Sequence, residues 1–131
     1  MSAFRQMQTN MNDGAILVRA LKKHFPQVEQ FAVPTQMNGW RSNAIQNFAH
    51  IVVRQKYVGG YNDLGFRQEK DGNYKAIVED DSKLLTPAWF DGLSRDYQEE
   101  KAKALMSANE MELSERTVES DGSVRLRFVY A

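Results

Sequence analysis

The chain has 131 residues, 17 basic and 17 acidic, with no cysteine. That length suits one domain, 1–131, which can bury a core without disulfides. The composition excludes thiolate metal sites and thiol nucleophiles, and the balanced charge leaves no global field for nucleic acid or anionic lipid.

In chain order, Phe4 to Thr9 reads as a short strand. Asn12 or Asp13 can cap a helix, since their side-chain oxygens accept early backbone N–H bonds. Ile16, Leu17, Ala20, Leu21 and Phe25 then recur at helical spacing. Lys22, Lys23 and His24 fall near its C-terminal end, where positive charge suits the helix dipole. Val28 to Val33 is a predicted strand ended by Pro34, and TQMNGWRSNAIQN is a predicted loop. Phe48 to Tyr57 is the strongest strand, and its Ile51-Val52-Val53 run suggests an interior strand covered on both faces. Gly59-Gly60 is expected to turn the chain into Asp63 to Gln68. Asp71-Gly72, where both positions tolerate positive φ, should turn it again into Tyr74 to Val78.

Thr86 caps a second helix with Pro87 at its first position. Its apolar stripe is Trp89, Phe90, Leu93, Tyr97, Ala104 and Leu105, and Glu99 with Lys103 adds an ion pair one turn apart. Glu110 to Val118 and Ser123 to Tyr130 form a final hairpin around Asp121-Gly122. The order is β-α-β-β-β-β-α-β-β. Hairpins dominate it, so the fold class is α+β, with a mostly antiparallel sheet and two helices on one face.

The opening MSAFRQMQTNMNDG has no apolar core of a secretory signal, and no apolar run approaches the roughly 20 residues of a membrane span. The cytoplasm is therefore the expected compartment.

Few residues suggest chemistry. VGGYNDLG lacks the Gly-Lys-Ser/Thr ending of a phosphate loop, and no helix follows it. His24 and His50 lack metal-ligand spacing, and Glu79-Asp80-Asp81 lacks the ligand pattern of a calcium loop. No metal and no cofactor is expected. An enzyme would have to use Asp63, His50 or Tyr97, which form no recognisable set. Trp40 and Arg41, in the loop NGWRSN, are residue types enriched at binding hot spots. With Tyr57, Tyr61 and Arg95 they are the candidate partner-binding surface.

The alternative is nucleic acid. Arg54 and Lys56 share a face if the central strand reaches Tyr57. Arg67 opposes Leu64 and Phe66, while Arg125 and Arg127 oppose Val124, Leu126, Phe128 and Tyr130. If helices cover the apolar face, these five cations gather on the open one, where phosphates and bases could bind. Glu69, Glu79, Glu112 and Glu119 would dilute that field. The oligomeric state is left open, because a free final strand can pair edge to edge.

MSAFRQMQT, AHIVVRQKYVGG, NDLGFRQEKDGNY, FDGLSRDYQEE and ESDGSVRLRFVYA, taken in order, resemble the Ycf35-like family, also known as the DUF1257 domain. That family has cyanobacterial, plastid, bacterial and phage members. Its opening commonly reads MSHF, and here Ala3 replaces the histidine. Its second helix often carries RYAYH, of which Arg95 and Tyr97 survive. The resemblance implies no established activity. Members are sometimes encoded beside AAA-type ATPases, which by association implies an adaptor or regulatory role. With no nucleophile set, no metal set and no basic excess, the expected function is a non-enzymatic adaptor or modulator with a protein partner.

Overall fold

The computed structural model describes residues 4–39, 47–80 and 82–131. Its elements are β1 (Phe4–Gln8), α1 (Gly14–Leu21), β2 (Glu29–Gln36), β3 (Phe48–Val53), α2 (Gln55–Val58), β4 (Leu64–Gln68), β5 (Tyr74–Glu79), α3 (Pro87–Ala108), β6 (Met111–Val118) and β7 (Val124–Tyr130). The fold is α+β and its strands pair antiparallel. Five form one sheet in the order β1-β5-β4-β3-β2, and β6 and β7 form a separate two-stranded sheet.

The two long helices start where local chemistry dictates. Asp13 accepts a hydrogen bond from the Ile16 amide at 3.2 Å and caps α1. Thr86 accepts from the Trp89 amide at 3.2 Å, with Pro87 opening α3. Both helices pack on one face of the five-stranded sheet. There Leu17, Leu21, Leu93 and Tyr97 meet Ile51, Val53, Leu64, Phe66, Ala76 and Val78 in one core. The Tyr97 hydroxyl, fully buried, accepts from the Asn12 and Asp13 amides at 3.2 and 3.0 Å, which ties α3 to the start of α1. Met37, Ala49, Val52 and Ile77 form a smaller cluster of their own, flanked by Phe4 and Phe31. The Ile51-Val52-Val53 run is thus buried on both faces, as an interior strand requires.

Gly65 sits where that smaller cluster is tightest. A Cβ there would lie 2.5 Å from the Met37 sulfur and 2.9 Å from the Ala49 Cβ. Gly65→Ala is expected to lower the unfolding free energy by about 2 kcal/mol through overpacking, measured by urea titration. Little or no loss would mean that Met37 moves aside freely.

Four sequence expectations are corrected. The strand from Phe48 stops at Val53, and residues 55–58 form one helical turn instead. The cause is a distant acceptor: the carboxylate of Asp63 takes the Gln55 amide at 2.7 Å, which an extended chain could not offer it. Gly59, at φ 87°, closes this helical turn inside a wider hairpin than expected, in which β3 and β4 still pair antiparallel with Val53 opposite Leu64. Pro34 does not end its strand. β2 continues to Gln36, because proline lacks only an N–H and β2 is an edge strand with a register shift between Gln30 and Thr35. At Asp71-Gly72 only Gly72 takes positive φ, 91°. The Gly72 amide donates to the Glu69 carbonyl at 3.0 Å and the Glu69 amide to the Asn73 carbonyl at 2.9 Å, a three-residue loop with a bulge. The turn at Asp121-Gly122 repeats that pattern between Glu119 and Ser123.

Candidate functional site

α3 is 22 residues long, and its buried apolar residues Phe90, Leu93 and Tyr97 all lie in its first half. In the second half Leu105, expected in the apolar stripe, is exposed. Glu110, at φ 59°, reverses the chain, and the β6–β7 hairpin packs back on α3. Between them runs a groove of about 470 Å³. Its floor is Ala102, Val124, Leu126 and Phe128, and its rim is Ser94, Arg95, Gln98, Glu99 and Ser123. Strand alternation explains the floor: Val124, Leu126 and Phe128 share one face of β7 and are half-buried. The spacing of Ser94, Gln98 and Ala102 explains the other wall, one stripe of a helix.

The hairpin is fastened to the helices by charge. Glu99 is buried and accepts from Lys23 Nζ at 2.8 Å and from Arg116 Nε at 2.6 Å, with Lys103 Nζ at 3.6 Å. Burial alone would raise its pKa, but the hydrogen bonds from Lys23 and Arg116 outweigh it and hold the carboxyl at about 2. Lys23 responds in the opposite sense: burial works against its charge, yet Glu99 and Glu100 raise its pKa above the ordinary lysine value. One carboxylate on α3 thereby joins the segment just past α1 to β6.

The candidate partner-binding residues do not converge. Arg95 lies on the groove rim, over the turn at Gly122, where hydrogen bonds from Ser123 lower the Asp121 pKa and the Arg95 charge adds to the effect. Among the described residues it has no ion pair. Tyr57 is half-buried against the main core, with Lys56 Nζ 5.0 Å from its ring centre. Tyr61 is exposed and lines another cavity with Gly59, Lys83 and Leu84. Trp40 and Arg41 lie outside the described residues.

Nor do the five cations form one basic face. Arg54 and Lys56 belong to the α2 turn instead of a strand face. Arg54 is bound by Glu29 and, at 2.9 Å, by Asp63, and these bonds raise its pKa. Arg67, on β4, pairs with Glu69 at 3.5 Å. Arg125 and Arg127 stand on the separate hairpin, paired with Glu119 at 3.3 Å and Glu115 at 3.9 Å. The expectation assumed a single sheet, and the hairpin's separation from it breaks the face in two.

The residues considered for catalysis have structural partners. Asp63 is buried and accepts from the Asn38 amide at 2.7 Å. The His50 Nδ1 accepts from the Gln68 amide at 3.0 Å, and its pKa is lowered by burial and by Arg67. Tyr97 binds the Asn12 and Asp13 amides, and His24, weighed only as a metal ligand, pairs with Asp96 at 2.6 Å. Among the described residues, no group of three or more His, Asp or Glu could hold a metal ion, and no helix is long and apolar enough to cross a membrane.

A family model described as "Protein of unknown function (DUF1257)" matches residues 21–127. The chain belongs to the DUF1257 family. No curated protein and no solved structure matches it. The matched span of this DUF1257 domain takes in the whole Glu99 cluster and both walls of the groove except Phe128, which lies one residue beyond it. Sequence reasoning found Arg95 but missed the groove, whose apolar wall and helical wall lie about 30 residues apart in the chain. The one available signal was the clean alternation of Val124, Leu126 and Phe128, which calls for a cover on one face.

Proposed function

We propose that this DUF1257 chain is a non-enzymatic, protein-binding adaptor or modulator that holds its partner in the groove between α3 and β7. The observation that carries this reading is the half-buried apolar floor of Val124, Leu126 and Phe128 beside Arg95, a cation with no ion pair among the described residues. An apolar patch rimmed by polar groups and holding an arginine anchor has the make-up of a protein-binding surface. Leu105, Leu113, Val118, Val129 and Tyr130 add exposed apolar side chains on the end of α3 and on the hairpin. The family's association with AAA-type ATPases makes such an ATPase the first partner to try. The action is placed in the cytoplasm, and phage-borne members fit a modulator of host machinery. The five cations leave nucleic acid as the second reading, supported chiefly by Arg125 and Arg127, whose side chains are 78% and 73% exposed.

The test is capture from a bacterial lysate by the immobilised chain, with and without nuclease. The expected result is one stoichiometric protein that survives nuclease and is retained at least ten-fold less by Arg95→Ala and by Phe128→Ala, with thermal melting confirming that both variants fold. Retention of nucleic acid alone, or of proteins lost on nuclease treatment, would move the function to the cations, with affinity falling steeply in salt.

A further inference from the structure

Among the described residues, the outer edge of β7 pairs with no strand. The Glu119 amide donates to the Ser123 carbonyl, and the Ala131 amide to the Glu110 carbonyl. Positions 123 and 131 of the last strand therefore turn their main-chain groups toward β6. Main-chain direction alternates along a strand, so Val124, Leu126, Phe128 and Tyr130 point their N–H and C=O groups away from β6. The side chains of Val124, Leu126 and Phe128 line the groove. A two-stranded sheet is marginal unless a helix or a further strand supports it; here α3 packs on one face and leaves the outer edge of β7 open to a strand. The outer edge of β2 carries Pro34, which spoils it as a template, whereas residues 124–130 contain neither proline nor glycine.

We propose that the free edge of β7 receives an extended segment of a protein partner as a third strand, with apolar residues alternating with acidic ones. This rests on the adaptor reading and names the partner's chemistry. The apolar residues of the incoming strand would face the groove and fill the space beside Gln98 and Ala102. Its acidic residues would then share the opposite face with Arg125 and Arg127. Each of these arginines meets an acid only on its β6 side, Glu119 at 3.3 Å and Glu115 at 3.9 Å, and stays largely exposed. Among the described residues, no acid pairs with them on the flank toward that edge, which is electropositive. The same charges oppose a second copy of the chain: antiparallel pairing of two β7 strands would set Arg125 and Arg127 against their equivalents, and like charges across strands repel. Strand addition supplies affinity from the main chain, and the alternate side chains supply selectivity.

The test uses the full chain and fluorescent octapeptides read by polarisation. The expected result is that an alternating leucine–glutamate peptide binds at least ten-fold more tightly than a leucine–lysine peptide at equal ionic strength. Methylating alternate backbone nitrogens of the acidic peptide should abolish binding. The double substitution Arg125→Glu with Arg127→Glu, at exposed positions, should reverse the preference. Equal affinity for both peptides, or undiminished binding of the methylated one, overturns the proposal. So does sedimentation showing the chain associating with itself in a way the acidic peptide does not compete with. A lysate partner whose capture ignores the double substitution would sink strand addition while leaving the adaptor reading intact, and the absence of any lysate partner would sink that reading.

Discussion

Asp63→Ala is expected to lower the unfolding free energy by about 4 kcal/mol, the largest effect of any single truncation considered. Asp63 is 2% exposed. Its Oδ2 accepts from the Asn38 amide at 2.7 Å and from Arg54 Nη1 at 2.9 Å, and its Oδ1 accepts from the Gln55 amide at 2.7 Å. Truncation strands two backbone donors, each costing about 1–3 kcal/mol when left unpaired. It also leaves Arg54 with Glu29 alone. Asp63→Asn keeps one acceptor oxygen but turns an NH₂ group toward a donor and removes the charge facing Arg54. It should cost about half as much. Urea unfolding with an unchanged m-value is the measurement. A loss below about 1 kcal/mol for the alanine variant, within the ordinary range of point substitutions, would mean that water satisfies these donors.

The second large effect belongs to Glu99. Glu99→Gln should cost about 3 kcal/mol at neutral pH, because Lys23, Lys103 and Arg116 remain around a site without its anion. The pH dependence provides an independent check. The carboxyl titrates at about 2 in the folded chain against an ordinary 4.5. A depressed folded pKa means stability that is present above pH 4.5 and lost as pH falls toward 2. The contribution is about 2 kcal/mol once the solvent-screened ends of Lys23 and Arg116 are discounted. Glu69 and Asp121 also have lowered pKa values, so the readout is the difference between wild type and Glu99→Gln across that window. That difference should shrink steadily on acidification. Parallel curves would remove Glu99 as the acid-labile link between the hairpin and the helices.

What was legible in the sequence was local. Thr86 and Pro87 mark the start of α3 because a cap needs only neighbours three residues away. The Asp-Gly pairs locate both bulged turns, since glycine adopts positive φ without strain. The run Ile51-Val52-Val53 announced an interior strand because both faces had to be apolar. What was not legible depended on partners distant in the chain. The α2 turn needs the Asp63 carboxylate eight residues on. Arg54 looked like an open-face cation because nothing in its neighbourhood forecasts Glu29. Glu99 looked like one half of a surface pair with Lys103, and only the packing of α1 and β6 on α3 buries it. Of the candidate site, the alternating residues of β7 were visible, while the helical wall opposite them was not.

The strand order β1-β5-β4-β3-β2 also bears on how the chain folds. From β2 to β5, strands that neighbour one another in the sheet also neighbour one another in sequence, so each pairing closes a short loop at low entropic cost. β1 differs. Phe4 pairs with Glu79, so the strand made first among these five lies at an edge whose neighbour emerges last of them. On the ribosome the meander can assemble while β1 waits with its polar backbone unpaired. Completion of the sheet is therefore a late event that brings together the two ends of the segment from residue 4 to residue 79.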